Sequence, residues 1–390
     1  MKKLIPLLLL SLTWNSLARP PVSPVRVVMN GFVADNVIAG SVTAVATQSD
    51  ILSLETTGFA NLEKKKTMPP DALFWIASMT KPMAAVCVLQ LHESGKLSIE
   101  DPVEKHLPEF AGQWMIESRA KGKLTLKKPA RAITIRDLLT HTSGLPNTNS
   151  PRPESTLAEL VMSYSKTPLQ FEPGSRWSYS NAGINVLGRI VEVVSDTPFA
   201  EYLQTHVLDP CGMKDTTFWP TPAQAKRIAT SYRPGRDGQL ERTEVYFLKG
   251  GLSNRKRTPY PAGGLYSTAT DVVRFYQMML NGGTFKGQRV LKKETAALMT
   301  RTQTGDIKTG FVDGMSWGLG FQVVKTPQGV TASLSAGTYG HGGAYATQSW
   351  ADPKTGHIVV LMIQRAGFRN GDNSPVRKAF QEAVQKQFVR

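Results

Sequence analysis

The hydrophobic pattern changes rhythm twice along this chain. Near the N-terminal end, Ser41 to Thr47 and Ile51 to Thr56 are short apolar-rich runs around Gln48-Ser49-Asp50, which predicts a β-hairpin. Leu73 to Ala77 is a further apolar run. It leads into a helical pattern that starts at Ser78, continues through Ala84, Ala85, Val88, Leu89 and Leu91, and stops at Gly95. Turn signals then fill Leu97 to Pro108.

The middle of the chain reads as helices and loops. Thr134 caps a short helix that ends at the Thr140 to Pro146 turn, and Leu157 to Ser165 is another short helix. From Ala182 an amphipathic helix carries Leu187, Ile190, Val191 and Val194 on one face. Phe199 to His206 adds one more helix before Pro210.

Towards the C-terminus Thr268 caps a helix that ends at Asn281-Gly282-Gly283, and strands return after Thr302. Gly318 to Val324, Gly343 to Trp350 and His357 to Ile363 are the candidates, followed by a helix over Pro375 to Val389. Strands at both ends around a helical middle predict an α+β fold. One antiparallel sheet is built from both chain ends and flanked by helices, with a mainly helical lobe inserted. The implied division is 19–110 with 262–390 for the sheet lobe, 111–261 for the helical lobe, and a site in the cleft between them.

The first residues stand apart from this fold. Met1-Lys2-Lys3 is positive, Leu4 to Trp14 is apolar but too short to span a bilayer, and Ser16-Leu17-Ala18 offers small residues to a peptidase. Residues 1–18 therefore read as an export signal cleaved near Ala18, which places the mature chain in the periplasm or outside the cell. Cys87 and Cys211 leave one disulfide or two free thiols open.

The formal charge of +16 is partly concentrated in Arg119, Lys121, Lys123, Lys127, Lys128, Arg131 and Arg136. Such a cluster reads as a solvated loop or as a patch for an anionic partner such as a cell-envelope polymer. No zinc-finger, RNA-recognition or helix-turn-helix pattern is present, so nucleic acid is not an expected partner. The six histidines are scattered without a His-Glu-x-x-His, so no metal site is predicted. Without a Gly-x-Ser-x-Gly elbow, an α/β-hydrolase is disfavoured. His141 and Ser143 lie two apart in a tight turn, where hydrogen bonding within the turn is the simpler role.

Chemistry enters with Ser78-Met79-Thr80-Lys81. Residues three apart on a helix share a face, so serine and lysine would sit side by side at the positive end of the helix dipole. There the lysine is pushed towards its neutral form, one way to activate a serine without histidine. Alone, the pattern reads equally well as an N-cap serine with a solvated lysine. Two further features follow in order: Tyr179-Ser180-Asn181 before the Ala182 helix, and His341-Gly342-Gly343 at the start of a predicted strand.

Together these three motifs resemble the serine β-lactamase and penicillin-binding superfamily, in the Tyr-x-Asn version of class C β-lactamases, D-alanyl-D-alanine peptidases, D-aminopeptidases and related esterases. Leu138 to Leu145 and Phe171-Glu172-Pro173-Gly174 are also similar to that family. The resemblance covers essentially the whole mature chain. It implies a hydrolase of esters or amides (a β-lactam, a D-aminoacyl peptide or a small carboxyl ester) acting through an acylated Ser78 without a cofactor. Lys81 and Tyr179 would take the serine proton. Either an ammonium favours the phenolate or a neutral amine accepts directly, and both stay open here. Asn181, His341, Gly342 and Gly343 would contact substrate, and the N–H groups of Ser78 and Ala344 would form the oxyanion hole. His341 departs from the lysine that many lactamases carry, and histidine is mostly neutral at pH 7. A non-catalytic envelope protein that binds peptidoglycan or a partner through the same cleft is the competing class.

Overall fold

The computed structural model describes residues 23–120, 122–147, 154–245 and 251–389. The residues read as an export signal lie outside the described residues. An eight-stranded antiparallel sheet runs in the spatial order Met315–Trp317, Gln322–Val324, Tyr339–Gly342, Gln348–Asp352, His357–Met362, Gly40–Ala46, Ile51–Asn61 and Lys66–Thr67. The two ends of the chain meet where Val42 pairs with Met362 and Ala46 with Ile358. The α+β architecture with a sheet drawn from both ends is therefore present.

Each face of this sheet has its own core, as the two-residue period of a strand requires. Val42, Ala44, Val360 and Met362 face the larger core, while Val45, Val359 and Leu361 face a smaller one. The smaller core is closed by helices Pro24–Ala34 and Pro375–Phe388, through Val25, Met29, Val376 and Phe380. The first of these helices is absent from the reading above. Its signature is nonetheless plain, since Ser23 caps it and Pro24 takes the first helical position.

Helix Thr80–Glu93 lies in the larger core. It is buried on every side from Thr80 to Leu89, rather than presenting one apolar face. It also starts later than expected. Ala77 to Met79 form a separate 3-10 turn, with Ala77 at φ 45, so Ser78 is not an N-cap residue. Between this helix and Tyr266 the chain leaves the sheet. Thr134 begins helix Ile135–Leu139 with a reciprocal cap, its hydroxyl accepting from the Asp137 N–H while the Asp137 carboxylate accepts from the Thr134 N–H. Helices Leu157–Ser165 and Asn181–Ser195 follow.

Three expectations need correction. The basic cluster is a loop only in part, because Arg119, Lys123 and Lys127 lie on strands Met115–Ala120 and Lys123–Lys127, which pair as an antiparallel hairpin, while Lys128 and Arg131 lie in irregular chain. Of the stretch read as a strand, Gly318 to Val324, only Gln322–Val324 is one; Gly318 to Phe321 is the turn that joins it to the preceding strand Met315–Trp317, and Gly320 there takes φ 84, a conformation that favours glycine. His341 does not begin a strand. It lies inside Tyr339–Gly342, and the next strand starts only at Gln348, after a turn closed by Gly343 N–H donating to Thr347 O and Ala346 N–H to Gly343 O.

Candidate active site

Four segments meet around Ser78. The first is its own 3-10 turn, which leaves the serine half-buried between the buried Ala77 and Met79. The non-glycine residue at positive φ just before it is a local strain that the surrounding core must hold. Lys81, one helical turn on, is fully buried at 0% exposure. Its Nζ lies 3.0 Å from Ser78 Oγ, 2.7 Å from Asn181 Oδ1 and 2.5 Å from the Ala262 carbonyl oxygen. Among the described residues no carboxylate pairs with it. Burial therefore pushes its ammonium well below the ordinary lysine range.

The second segment is Trp177 to Asn181. Lys81 Nζ stands 4.7 Å from the centre of the Tyr179 ring. Burial drives this phenol well above its usual range, with the facing Ser78 hydroxyl pulling the other way. The turn is tightly held. Ser178 N–H donates to His141 O at 2.9 Å, and Ser180 N–H donates to His141 Nδ1 at 3.2 Å. Asn147 Nδ2 donates to Tyr179 O at 2.9 Å, while its Oδ1 accepts from Asn181 N–H at 2.6 Å. Ser180 then caps the next helix by accepting from Gly183 N–H. Asn147 is a contributor that the sequence reading missed. An asparagine after a Gly-Pro turn carries no signal of a partner 34 residues away.

The third segment is the end of strand Tyr339–Gly342. His341 is buried, and its Nδ1 lies 2.7 Å from Gly342 O, so Nδ1 carries the proton and donates it. Its Nε2 is then an unprotonated acceptor with no partner among the described residues. Desolvation, with Lys81 nearby, holds this imidazole down to about 3. It makes no hydrogen bond to Tyr179, their ring centres being 6.1 Å apart. The glycines beside it serve the protein itself. A Cβ on Gly342 would meet Asp372 Oδ1 at 2.2 Å, and one on Gly343 would meet Thr347 Oγ1 at 2.1 Å and Ile76 O at 2.6 Å. Gly343 thus lets the strand end close onto the Ser78 turn, and Ala344 beside it is exposed, its N–H outside the bonds that close the turn.

The fourth segment is Ala262-Gly263, which supplies the Lys81 acceptor and takes the indole N–H of Trp75 on Gly263 O at 2.7 Å. Trp317 is fully buried behind Tyr179, at 5.9 Å between rings, and so belongs to the core rather than to the pocket wall. Tyr260 also joins the core. Cys87 and Cys211 are separate buried thiols. Among the described residues no cluster of three His, Cys, Asp or Glu side chains could hold a metal ion. The structure thus gathers Ser78, Lys81, Tyr179, Asn181, His341 and the 342–344 turn into one place. A serine hydroxyl, a buried amine whose charged form is disfavoured and a phenol stand together there, an arrangement able to pass a proton away from a nucleophile.

The family model described as Beta-lactamase matches residues 25–381. Protein Rv1367c of Mycobacterium tuberculosis is 34% identical over 361 residues, covering 84% of this chain and 86% of its own. Esterase EstB of Burkholderia gladioli is 31% identical over 382 residues, covering 89% and 91% respectively. Among solved structures, EstCE1, a hydrolase with promiscuous acyltransferase activity, superposes with a TM-score of 0.78 at 25% identity, covering 93% of this chain and 97% of its own.

Proposed function

This chain belongs to the beta-lactamase family, and from that premise we propose that it is a carboxylic-ester hydrolase working through an acyl-Ser78 intermediate. The observation that carries the reading is the setting of Lys81. A neutral amine has two N–H bonds and one lone pair. The Asn181 and Ala262 oxygens can only accept, so they take the two protons. The lone pair is then left for the remaining neighbour, the Ser78 hydroxyl at 3.0 Å. Lys81 is accordingly the direct acceptor, and the phenolate route is disfavoured by the burial of Tyr179.

The steps follow. Ser78 Oγ attacks the ester carbonyl carbon as its proton passes to Lys81 Nζ. The carbonyl electrons move onto oxygen, which is received by the N–H groups of Ser78 and Ala344. Collapse breaks the bond to the leaving alkoxide, and the proton returns to that oxygen from Lys81 through the Tyr179 hydroxyl. Water then repeats the sequence on the acyl-serine and releases the acid.

An ester is favoured over a carboxylate-bearing β-lactam or peptide by His341. This position is buried and neutral where a permanent cation would meet a carboxylate. The names of EstB and EstCE1 support the same class. At the surface, the hairpin with exposed Lys123 and Lys127 supports a weak electrostatic association with anionic cell-envelope polymers. The test is labelling with a fluorescent fluorophosphonate beside turnover of p-nitrophenyl butyrate, nitrocefin and a D-Ala-D-Ala peptide. Expected are an adduct lost in Ser78→Ala and preferential ester turnover. No adduct, or an equal one on Ser78→Ala, would sink the covalent reading. Preferential nitrocefin or peptide turnover would sink the ester assignment.

A further inference from the structure

One residue holds the backbone on both sides of Tyr179. His141 O accepts from Ser178 N–H at 2.9 Å, and His141 Nδ1 accepts from Ser180 N–H at 3.2 Å. Its ring also lies against the Tyr179 ring, 4.5 Å between centres, and meets Trp317 edge to face at 4.8 Å and 73°. We propose that His141 is the positioning residue for Tyr179, a neutral clamp that fixes the phenol over Lys81 and beside Ser78. The proposal rests on the reading that Tyr179 moves the Ser78 proton.

The chemistry of the ring supports this assignment. An imidazole nitrogen accepts an N–H only when it carries no proton, so His141 is the tautomer with its hydrogen on Nε2. Three titratable groups face it: Lys81 from the nucleophile helix, His341 from the sheet, and Tyr179 from the clamped turn. Burial is the main cause that holds the imidazole well below its ordinary value, and any positive charge on Lys81 or His341 presses it lower still. The clamp therefore does not open through the neutral pH range. The same fact excludes His141 as a base, because its one lone pair is already taken by Ser180.

A purely local explanation falls short. His141 follows the C-cap Thr140 of helix Ile135–Leu139 at φ 59. Glycine or asparagine commonly ends a helix in this conformation. Ending the helix therefore does not require an imidazole. The ring has a cost, since its Nε2–H is buried with no oxygen or nitrogen acceptor among the described residues. What the ring adds over a simple helix end is the bond to Ser180 and the face against Tyr179.

Double-mutant kinetics separate a clamp from a structural prop. The rate read is single-turnover acylation by an alkyl ester such as ethyl butyrate, whose alkoxide must take a proton as it leaves, with folding checked by circular dichroism and melting. His141→Phe keeps a ring and loses the acceptor. It is expected to slow acylation on the order of 10-fold to 10²-fold with little change in KM. His141→Asn keeps an acceptor and tolerates the backbone conformation, and it is expected to recover part of that loss. In the Tyr179→Phe background, where the hydroxyl to be positioned is gone, His141→Phe and His141→Asn should each change the rate less than about 2-fold. Equal losses in both backgrounds, or no loss from His141→Phe in the wild-type background, would overturn the clamp while leaving Tyr179 in its role. Wild-type acylation by Tyr179→Phe alone would instead overturn the reading of Tyr179 on which the clamp depends. Should His141→Phe fail to fold, His141→Gln replaces it in the same cycle.

Discussion

Replacing Lys81 by methionine should change how the fold responds to pH, and the sign can be worked out in advance. Lys81 is fully buried, and its Nζ is met by Ser78 Oγ, Asn181 Oδ1 and Ala262 O but by no carboxylate. Burial lowers its pKa well below that of an unfolded lysine. Between the folded value and the unfolded one near 10.4, the unfolded chain holds a proton that the native chain lacks. Stability therefore rises with pH across that window, by about 1.4 kcal/mol per pH unit for one full proton, and becomes flat below the folded value. Lys81→Met abolishes this slope. It also strands the Asn181 and Ala262 oxygens, at about 1–3 kcal/mol each, and relieves the burial of an amine. Those two effects oppose one another and are independent of pH, so the slope is the observable. Urea melts of both proteins at steps from about pH 6 to about pH 10 give the difference directly. Tyr179 is also shifted, but its causes do not include Lys81 and its contribution is common to both proteins. His141 and His341 owe part of their shifts to Lys81, so the slopes are compared above about pH 7.5, where an imidazole is neutral in the unfolded chain as well. Parallel curves would mean that the native protein keeps its ammonium, and Lys81 could not then be the acceptor of the Ser78 proton.

Three other perturbations test the site and the surface. Asn181→Asp puts a carboxylate where an amide oxygen now sits 2.7 Å from Nζ, which favours the ammonium. The acid limb of kcat/KM should move to higher pH by one unit or more, on the order of what one close opposite charge does, and an unmoved limb would refute the pairing. Gly343→Ala places a Cβ 2.1 Å from Thr347 Oγ1 and 2.6 Å from Ile76 O, forcing the strand end off the Ser78 turn. We expect a loss of kcat on the order of 10²-fold and of about 1–3 kcal/mol in stability, whereas Gly371→Ala, whose nearest neighbours lie at 3.7 Å, should be close to neutral in both assays. Lys123→Glu with Lys127→Glu should weaken salt-sensitive binding to an anionic polymer such as polyglutamate while leaving ester turnover unchanged, and unaltered binding would remove the hairpin from that role.

What could be read from the chain was what local chemistry dictates. Thr134 and Thr268 announce their helices because a hydroxyl beside a first-turn acid satisfies free backbone donors. Gly40–Ala46 and His357–Met362 announce themselves through dense apolar runs, since both strands are interior to the sheet. The hairpin at Met115–Lys127 did not, because most of its residues are exposed or half-exposed and no burial contrast marks a face. Because two of its four residues are glycine, Tyr339–Gly342 did not read as a strand of its own, and His341-Gly342-Gly343 read as the start of the following one. In the structure those glycines admit Trp350 and Asp372 from neighbouring elements, which a local reading cannot see. The same holds in the site. Ser78, Lys81 and Tyr179 were legible as motifs, but Ala262 O and the His141–Ser180 bond, 39 residues apart in sequence, exist only through the tertiary fold.

The site's electrostatics follow from what the fold withholds. Lys81, His141 and His341 are three basic side chains buried together, and each is held towards its neutral form. A carboxylate beside Lys81 would have retained the ammonium and removed the base. Without one, a neutral Lys81 would present no ammonium to be desolvated when the ester of the proposed reaction enters. In the proposed reaction charge would then arise during attack, positive on Lys81 and negative on the carbonyl oxygen. Separated charges in a dry site are costly unless fixed dipoles meet them. Here Asn181 Oδ1 and Ala262 O already point at Nζ, so the nascent ammonium meets oriented acceptors at no reorganisation cost. A substrate that brings its own carboxylate would find only neutral imidazole at His341 and would be bound at a loss. On the proposed reading an uncharged ester would meet no such obstacle, and the burial that would make Lys81 a base would also favour a neutral substrate.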